Sequence, residues 1–483
     1  MAVCKSGASL LRINRYLARP VSTRLVIATL VALSVLKLLI VPRFYQLDMP
    51  VRDIGFGFGA AAHAVATTGS TTVCPPLFLD APNLQCAVAE RMPLIPYLYA
   101  GAMKLVGDNA LRLAILKTAV LDLLLLYFLA RWLAIVGADR FTLMLIAMVF
   151  AGPQYMLHSF SPHYEEGFLI QLLPILLIMQ FAYVWERENE LAPWARLPAY
   201  VAVNAAIYLV KSSMILVLIW SFIFLARFVR RATAVKFAAA LVMCIPLLLW
   251  GSYTKYMTGR FAIGTSIDGW NLFLGNNSAT LDFYPRYTVD LLHGDGPIEL
   301  DGRVLNRVNL RDLDRQLEGK GSIDEWQIND GYRNIAIGWA IAHVGEELRL
   351  VARRLEVFFF EIRNNPIAPG HDKPPAVALA AGMAWMAAMR VIIWSAVITA
   401  VLAVWRGTGL RRAGLCFLCF LAAYVVPCIV AYAYERHVVP IILPAALFLA
   451  SAWRLRGGTD RPRQQRDDEF VVPGRRSAPE RMS

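Results

Sequence analysis

About ten apolar runs, most near 20 residues, divide this 483-residue chain and leave only two long polar intervals. A helix of about 20 apolar residues spans the roughly 30 Å hydrocarbon core of a bilayer and satisfies its own backbone there. The runs lie near 23–41, 112–134, 139–158, 166–185, 197–211, 213–227, 236–256, 383–405, 413–433 and 437–454. They predict an all-α membrane protein of about ten transmembrane helices. Composition points the same way: 58% of residues are hydrophobic and 17% charged, where soluble domains average about 45–50% and about 25%. Mean hydropathy is +0.50.

The net charge of +13 invites a nucleic-acid reading, but the placement of the charges excludes it. Lys and Arg gather in alternate short gaps: Arg131 and Arg140, then Arg187 and Arg196, then Arg227, Arg230, Arg231 and Lys236, then Arg406, Arg411 and Arg412. The intervening short turns carry little beyond Lys211 and Arg436. That one-sided bias is the positive-inside pattern. It predicts a multi-pass protein of the plasma (inner) membrane with both termini cytoplasmic. A crossing at 92–106 would invert every later loop, so that apolar stretch is expected to lie on the external surface. The basic N-terminus and first run lack a small-residue cleavage site and read as an uncleaved helix.

On this topology residues 1–456 form one membrane domain and 457–483 a disordered cytoplasmic tail. Two intervals, 42–111 and 257–382, face outside; the first carries juxtamembrane helices and the second is a long loop between spans seven and eight. Within the second, 332–360 reads as an amphipathic stretch with Arg349, Arg353 and Arg354 at helical spacing. Those arginines either snorkel to lipid headgroups or form a rim for an anionic lipid. Of seven cysteines, Cys74 and Cys86 share the first external loop and could form a disulfide. Cys416-x-x-Cys419 lies on a membrane helix and reads as packing.

Chemistry is expected where polar groups meet the membrane surface. Asp53 follows the first span by about a dozen residues. It reads either as a general base toward a hydroxyl or as the cap of a helix over 54–66; Asp48 and Asp80 are weaker versions of the same. Glu90-Arg91 precedes Pro93-x-x-Pro96, a rigid entry to the surface helix. The arginine fork suits a phosphate. His163, Glu165 and Glu166 occupy a turn expected to be solvated, with a second reading as acceptor-binding groups. Two ligands there are too few to assign a metal, and a divalent ion stays open. Lys211, Arg436 and His437 sit at the outer mouths of spans. Asp122 lies well inside the second span, where an ionisable group costs about 2.5–3.5 kcal/mol on insertion scales; it needs a partner that the sequence does not name.

Taken in order, Asp53, Arg91-Met-Pro-Leu-Ile-Pro-Tyr97, Glu165-Glu166 and Arg436-His-x-x-Pro440-Ile-x-x-Pro444 resemble the motifs of the GT-C superfamily of membrane glycosyltransferases. The branch most similar is that of the bacterial relatives of protein O-mannosyltransferases and lipid A aminoarabinose transferases. Asp53 is followed by Ile54 where the family often has a second acid, and His437 stands where tyrosine is common. The resemblance implies a polyprenyl-phosphate-linked sugar donor and a glycolipid, glycan or protein acceptor at the external face. It assigns Asp53 as base, Arg91, Lys211 and Arg436 to the donor phosphate, and Glu90, His163, Glu165, Glu166 and His437 to the acceptor or to supporting contacts. It implies inversion at the anomeric carbon and no certain cofactor. A transporter or flippase is the alternative, favoured only by Asp122, and a non-catalytic assembly factor the third reading. Which sugar and which acceptor are left open.

Overall fold

Each of the ten apolar runs is helical. The protein is seen here in a computed structural model, which describes residues 14, 16–44, 47–76, 84, 86–185, 187, 196–285, 287, 289, 292, 296–300, 302–307, 324–361 and 376–457. Six helices among these are long and apolar enough to cross a membrane: α1 (Thr23–Ile40), α4 (Ala110–Val136), α7 (Glu166–Val184), α10 (Thr233–Thr258), α15 (Ala376–Trp405) and α16 (Arg411–Val430). The third predicted span is two helices, α5 (Arg140–Phe150) and α6 (Pro153–Phe160), bent by 57°. The fifth, sixth and tenth are the shorter helices α8 (Leu197–Val210), α9 (Ile215–Phe228) and α17 (Val439–Gly457). By length and composition six helices qualify as spans, or seven with the bent pair taken as one, so the count of ten is not confirmed: a 14-residue helix such as α9 rises only about 21 Å.

The break between α5 and α6 has a local cause. Pro153 supplies no N–H and begins α6 at its first turn, with Gly152 as its cap. A Cβ on Gly152 would lie 2.0 Å from the Trp385 indole, so the bend is packed against α15. Helix α7, apolar but for Glu166, Gln171 and Gln180, is buried along its whole length, as expected of a helix at the centre of a bundle. It packs against α4, α8 and α17.

Both long intervals and three short connections, at Glu165, Lys211 and Arg436, send residues to one end of the bundle. At the opposite end Asp139 accepts the Thr142 N–H at 2.8 Å, capping α5, and faces the Arg454 guanidinium at 3.5 Å. The first interval holds a 3-10 turn, Val51–Asp53, then α2 (Phe58–Thr68) and α3 (Leu94–Val106). The Asp108 carboxylate accepts the Val51 N–H at 2.7 Å. Helix α2 starts at Phe58 behind Gly57, so Asp53 is not its cap. Cys74 and Cys86 are joined by a disulfide, and Val73 and Ala87 exchange backbone hydrogen bonds beside it. Asp48 is exposed. Asp80 and residues 458–483 lie outside the described residues.

The second interval holds α11 (Asp268–Gly275), α12 (Ser278–Phe283), a two-stranded hairpin of β1 (Ile298–Leu300) and β2 (Arg303–Leu305), α13 (Glu325–Ala342) and α14 (Val344–Phe359). The stretch expected as one amphipathic helix over 332–360 is thus parts of two, parted at His343. Its arginines do not all reach headgroups. Arg354 is fully buried and donates to the carbonyls of Ile429, Val430 and Gly275, to Asn276 and to Glu347. Arg353 donates to the carbonyls of Leu281 and Tyr284, and only Arg349 is exposed. Carbonyls left without intrahelical partners at the ends of α11 and α16 give Arg354 its acceptors. Cys416 is buried and donates to Gln180 at 3.3 Å, a packing role.

Candidate functional site

At the loop-bearing end of the bundle the converging segments enclose a cavity of about 460 Å³. Arg91, Glu165, Glu166, Lys211, Arg436 and His437 all line it. Six candidates scattered over most of the sequence are therefore brought to one place. Glu90 is buried just behind Arg91 in the chain and does not line the cavity.

Glu166 is the electrostatic centre. It opens α7, where the helix N-terminus favours an anion, and it is 1% exposed rather than solvated in a turn. Lys211 Nζ lies 2.6 Å from Glu166 Oε1, His437 Nε2 3.4 Å from the same oxygen, and Arg436 Nε 3.9 Å from Oε2. A carboxylate can be buried this far only because cations surround it. Lys211 owes its position to the junction of α8 and α9: α8 ends at Val210, Lys211 is extended, and one 3-10 turn follows.

The two arginines are held by aromatic faces. The Arg436 guanidinium sits 4.5 Å from the Tyr434 ring centre and 4.6 Å from that of Tyr164. That of Arg91 sits 5.0 Å from Phe58, donates through Nε to the Phe56 carbonyl, and faces Glu165 at 3.8 Å. Such cation–π contacts keep a guanidinium charged and oriented where water is scarce. At 3.8 Å the Arg91–Glu165 contact is an ion pair without a hydrogen bond. Phe56 has a φ of +57°, a left-handed conformation that costs a residue with a side chain about 1–3 kcal/mol and marks functional sites. This geometry turns the Phe56 carbonyl to Arg91 and sets its ring 4.9 Å from that of Tyr164. Sequence reading gave no signal for that strain.

Asp53 is outside the cavity lining, with a half-exposed side chain (51%) whose ion partner is Arg52 at 3.6 Å. It ends its 3-10 turn three residues before Phe56. His163 sits beside this segment: its Nδ1 accepts the Gly55 N–H at 2.9 Å. Burial, helped by the nearby Lys117 ammonium, holds the His163 imidazole below its ordinary 6.5. Only the neutral ring can accept this hydrogen bond. The contact is therefore intact above the ordinary imidazole range and is lost as pH falls through the lowered value. A single such bond contributes about 0.5–1.5 kcal/mol. Thermal unfolding of wild type should consequently lose more between pH 7 and pH 5 than that of His163→Ala; parallel pH profiles would mean the bond carries no linkage.

Sequence reasoning missed Asp268, which lines the cavity from the first turn of α11. Its Oδ1 accepts from Ser212 Oγ at 2.9 Å and Thr265 Oγ1 at 2.7 Å, and its Oδ2 from the Thr265 N–H at 2.9 Å. The Thr265-x-x-Asp268 spacing at a helix start was the available signal. Among the described residues no group of three or more His, Cys, Asp or Glu side chains is placed to hold a metal ion.

No family model matches the sequence, and no curated protein matches it. Among solved structures, the archaeal oligosaccharyltransferase AglB from Archaeoglobus fulgidus, in complex with an inhibitory peptide and a dolichol-phosphate, is similar over 93% of this chain and 52% of its own. The TM-score is 0.42 and the identity 13%, and this chain spans about half the length of that protein. At that score the likeness carries no weight for family or activity.

Proposed function

We propose that this protein is a membrane glycosyltransferase that moves a sugar from a polyprenyl-phosphate donor to an acceptor hydroxyl at the external face, with inversion. The observation that supports this most is the cavity itself: two aromatic-backed guanidiniums beside carboxylates, at the mouth of apolar helices that can seat a lipid tail. The acceptor hydroxyl attacks the anomeric carbon as the bond from that carbon to the phosphate oxygen breaks. The phosphate leaves with the bonding electrons, so its growing charge must be met. Arg91 and Arg436 meet it. Lys211, tied to Glu166 at 2.6 Å, adds positive potential from behind. Asp53 takes the hydroxyl proton. Pre-placed charge of this kind is usually the largest catalytic contribution.

The test is mass spectrometry of envelope lipids and glycans from cells lacking the protein. One sugar-bearing species should disappear and return with wild type. Complementation by Arg91→Ala should leave transfer about 10²–10³-fold down, the usual effect of removing one such donor, and should weaken donor binding as well. Arg91→Lys should fall between, since it keeps the charge and loses the fork. An unchanged envelope in every strain would sink the transferase reading.

A further inference from the structure

We propose that Asp268 binds a hydroxyl group of the transferred sugar and that the cavity takes a sugar without a carboxylate; this rests on the transferase reading above. The cavity lining includes three carboxylates, Glu165, Glu166 and Asp268. Glu166 is locked by Lys211, and Glu165 faces Arg91. Asp268 differs: among the described residues its partners are hydroxyls and an N–H, with no cation paired to it. A carboxylate has about four acceptor positions, and three are used here, so capacity for a hydroxyl donor is left. Its direction is set by both neighbours, Ser212 at the α8–α9 junction and Thr265 before α11. Gly264 permits the arrangement, because a Cβ there would lie 2.4 Å from Asp268 Oδ2. Asp268 and Arg91 line the same cavity of about 460 Å³, so a phosphate held by Arg91 carries its sugar ring into the space that this carboxylate also faces.

Charge balance makes the same point independently. Four cations line the cavity, Arg91, Lys211, Arg333 and Arg436, against the three carboxylates, so with His437 neutral the surplus is at most one positive charge. Arg333 shares Asp330, at 2.6 Å, with Arg260. The phosphodiester of the donor takes up that surplus. A second anion on the sugar would be left unpaired next to Asp268, in a half-enclosed site where like charges repel strongly.

The species lost from cells without the protein identifies the sugar directly. A neutral or amino sugar supports the proposal; a uronic acid overturns it while leaving the transferase reading intact. Loss of no sugar at all overturns both. In purified full-length protein, Asp268→Asn should lower kcat/KM about 10- to 100-fold, as expected for a hydrogen bond to a charged group. Binding of sugar-free polyprenyl phosphate should stay within about twofold. Asp268→Asn should also narrow the preference for a neutral over a uronic-acid donor. Should that variant fail to fold, Ser212→Ala leaves the carboxylate in place but less well aimed. It should raise KM for the sugar-bearing donor and not Kd for the bare phosphate. Equal effects on both ligands in either variant would overturn the proposal.

Discussion

Asp53→Asn should abolish transfer almost completely, by about 10²–10⁴-fold, the usual range for removal of a positioned base, while donor binding is retained. The amide has the shape of the carboxylate and cannot take a proton. Fold should be little affected, because the turn that carries residue 53 does not depend on its side chain. That turn is held by the Asp108 carboxylate on the Val51 N–H at 2.7 Å. It is also pressed against α2: a Cβ on Gly59 would lie 2.0 Å from the Val51 carbonyl oxygen. The chain then reaches the cavity within three residues, at the strained Phe56. The half-exposed Asp53 side chain is thus anchored three residues before a lining residue and open to an acceptor arriving from water. Transfer assays with purified protein and a radiolabelled polyprenyl-phosphate sugar measure the loss; binding of the same donor is the control. Should Asp53→Asn retain full activity, the proton must go to a carboxylate in the lining. Glu165 is then the next to replace, since Glu166 is committed to Lys211 at 2.6 Å.

Much of the site could be read before any coordinates, because topology did the gathering. An alternating topology is expected to bring residues 91, 165, 166, 211, 436 and 437 to one side, and they do line one cavity; arginine beside proline or aromatic residues in such a place suggests a bound anion. Orientation of side chains could not be read in the same way. Glu166 was expected in water because its neighbours in sequence are polar, yet the neighbours that matter, Lys211, Arg436 and His437, come from other helices. Asp268 lies just before a polar section, Asn271 to Asn329, rich in Gly, Asn and Asp, where one more carboxylate does not stand out. Arg354 looked like a surface arginine because its acceptors are backbone carbonyls of α11 and α16, which no side-chain pattern reveals. Gly152-Pro153 is a breaker pair, and it stands inside an apolar run that reads as one span over 139–158.

Asp122 gives the second large effect, this one on stability. Its partner is Lys37, from the first span, at 2.7 Å, with side-chain exposures of 4% and 2%. Lys37 also donates to Ser159 at 3.1 Å, and Gln171 donates weakly to Asp122 at 3.4 Å. Asp122 lies twelve residues into α4, about 18 Å along the helix axis. Water is therefore remote from both charges. The pair ties α1 to α4 and, through Ser159, to the end of α6. Lys117 on α4 supports the same end by donating to the carbonyls of Ser159, Phe160 and Ser161 at 2.8, 3.2 and 2.8 Å. The turn bearing His163 and Glu165 follows directly. Removing one partner strands the other charge in a buried site, which costs about 3–5 kcal/mol. Asp122→Leu and Lys37→Met, each alone, should therefore show that loss in equilibrium unfolding from mixed micelles. Lys37→Met with Asp122→Leu should recover most of it, because apolar replacement of both partners removes the desolvation cost along with the attraction. The coupling between the two sites should then be large and of compensating sign. If the double variant is as unstable as the sum of the singles, the pair is not a coupled unit. A role for Asp122 in moving ions or solutes then regains its force. If the cycle closes as expected, the one feature that favoured transport is explained as the joint on which the first loop and the α6–α7 turn are both mounted.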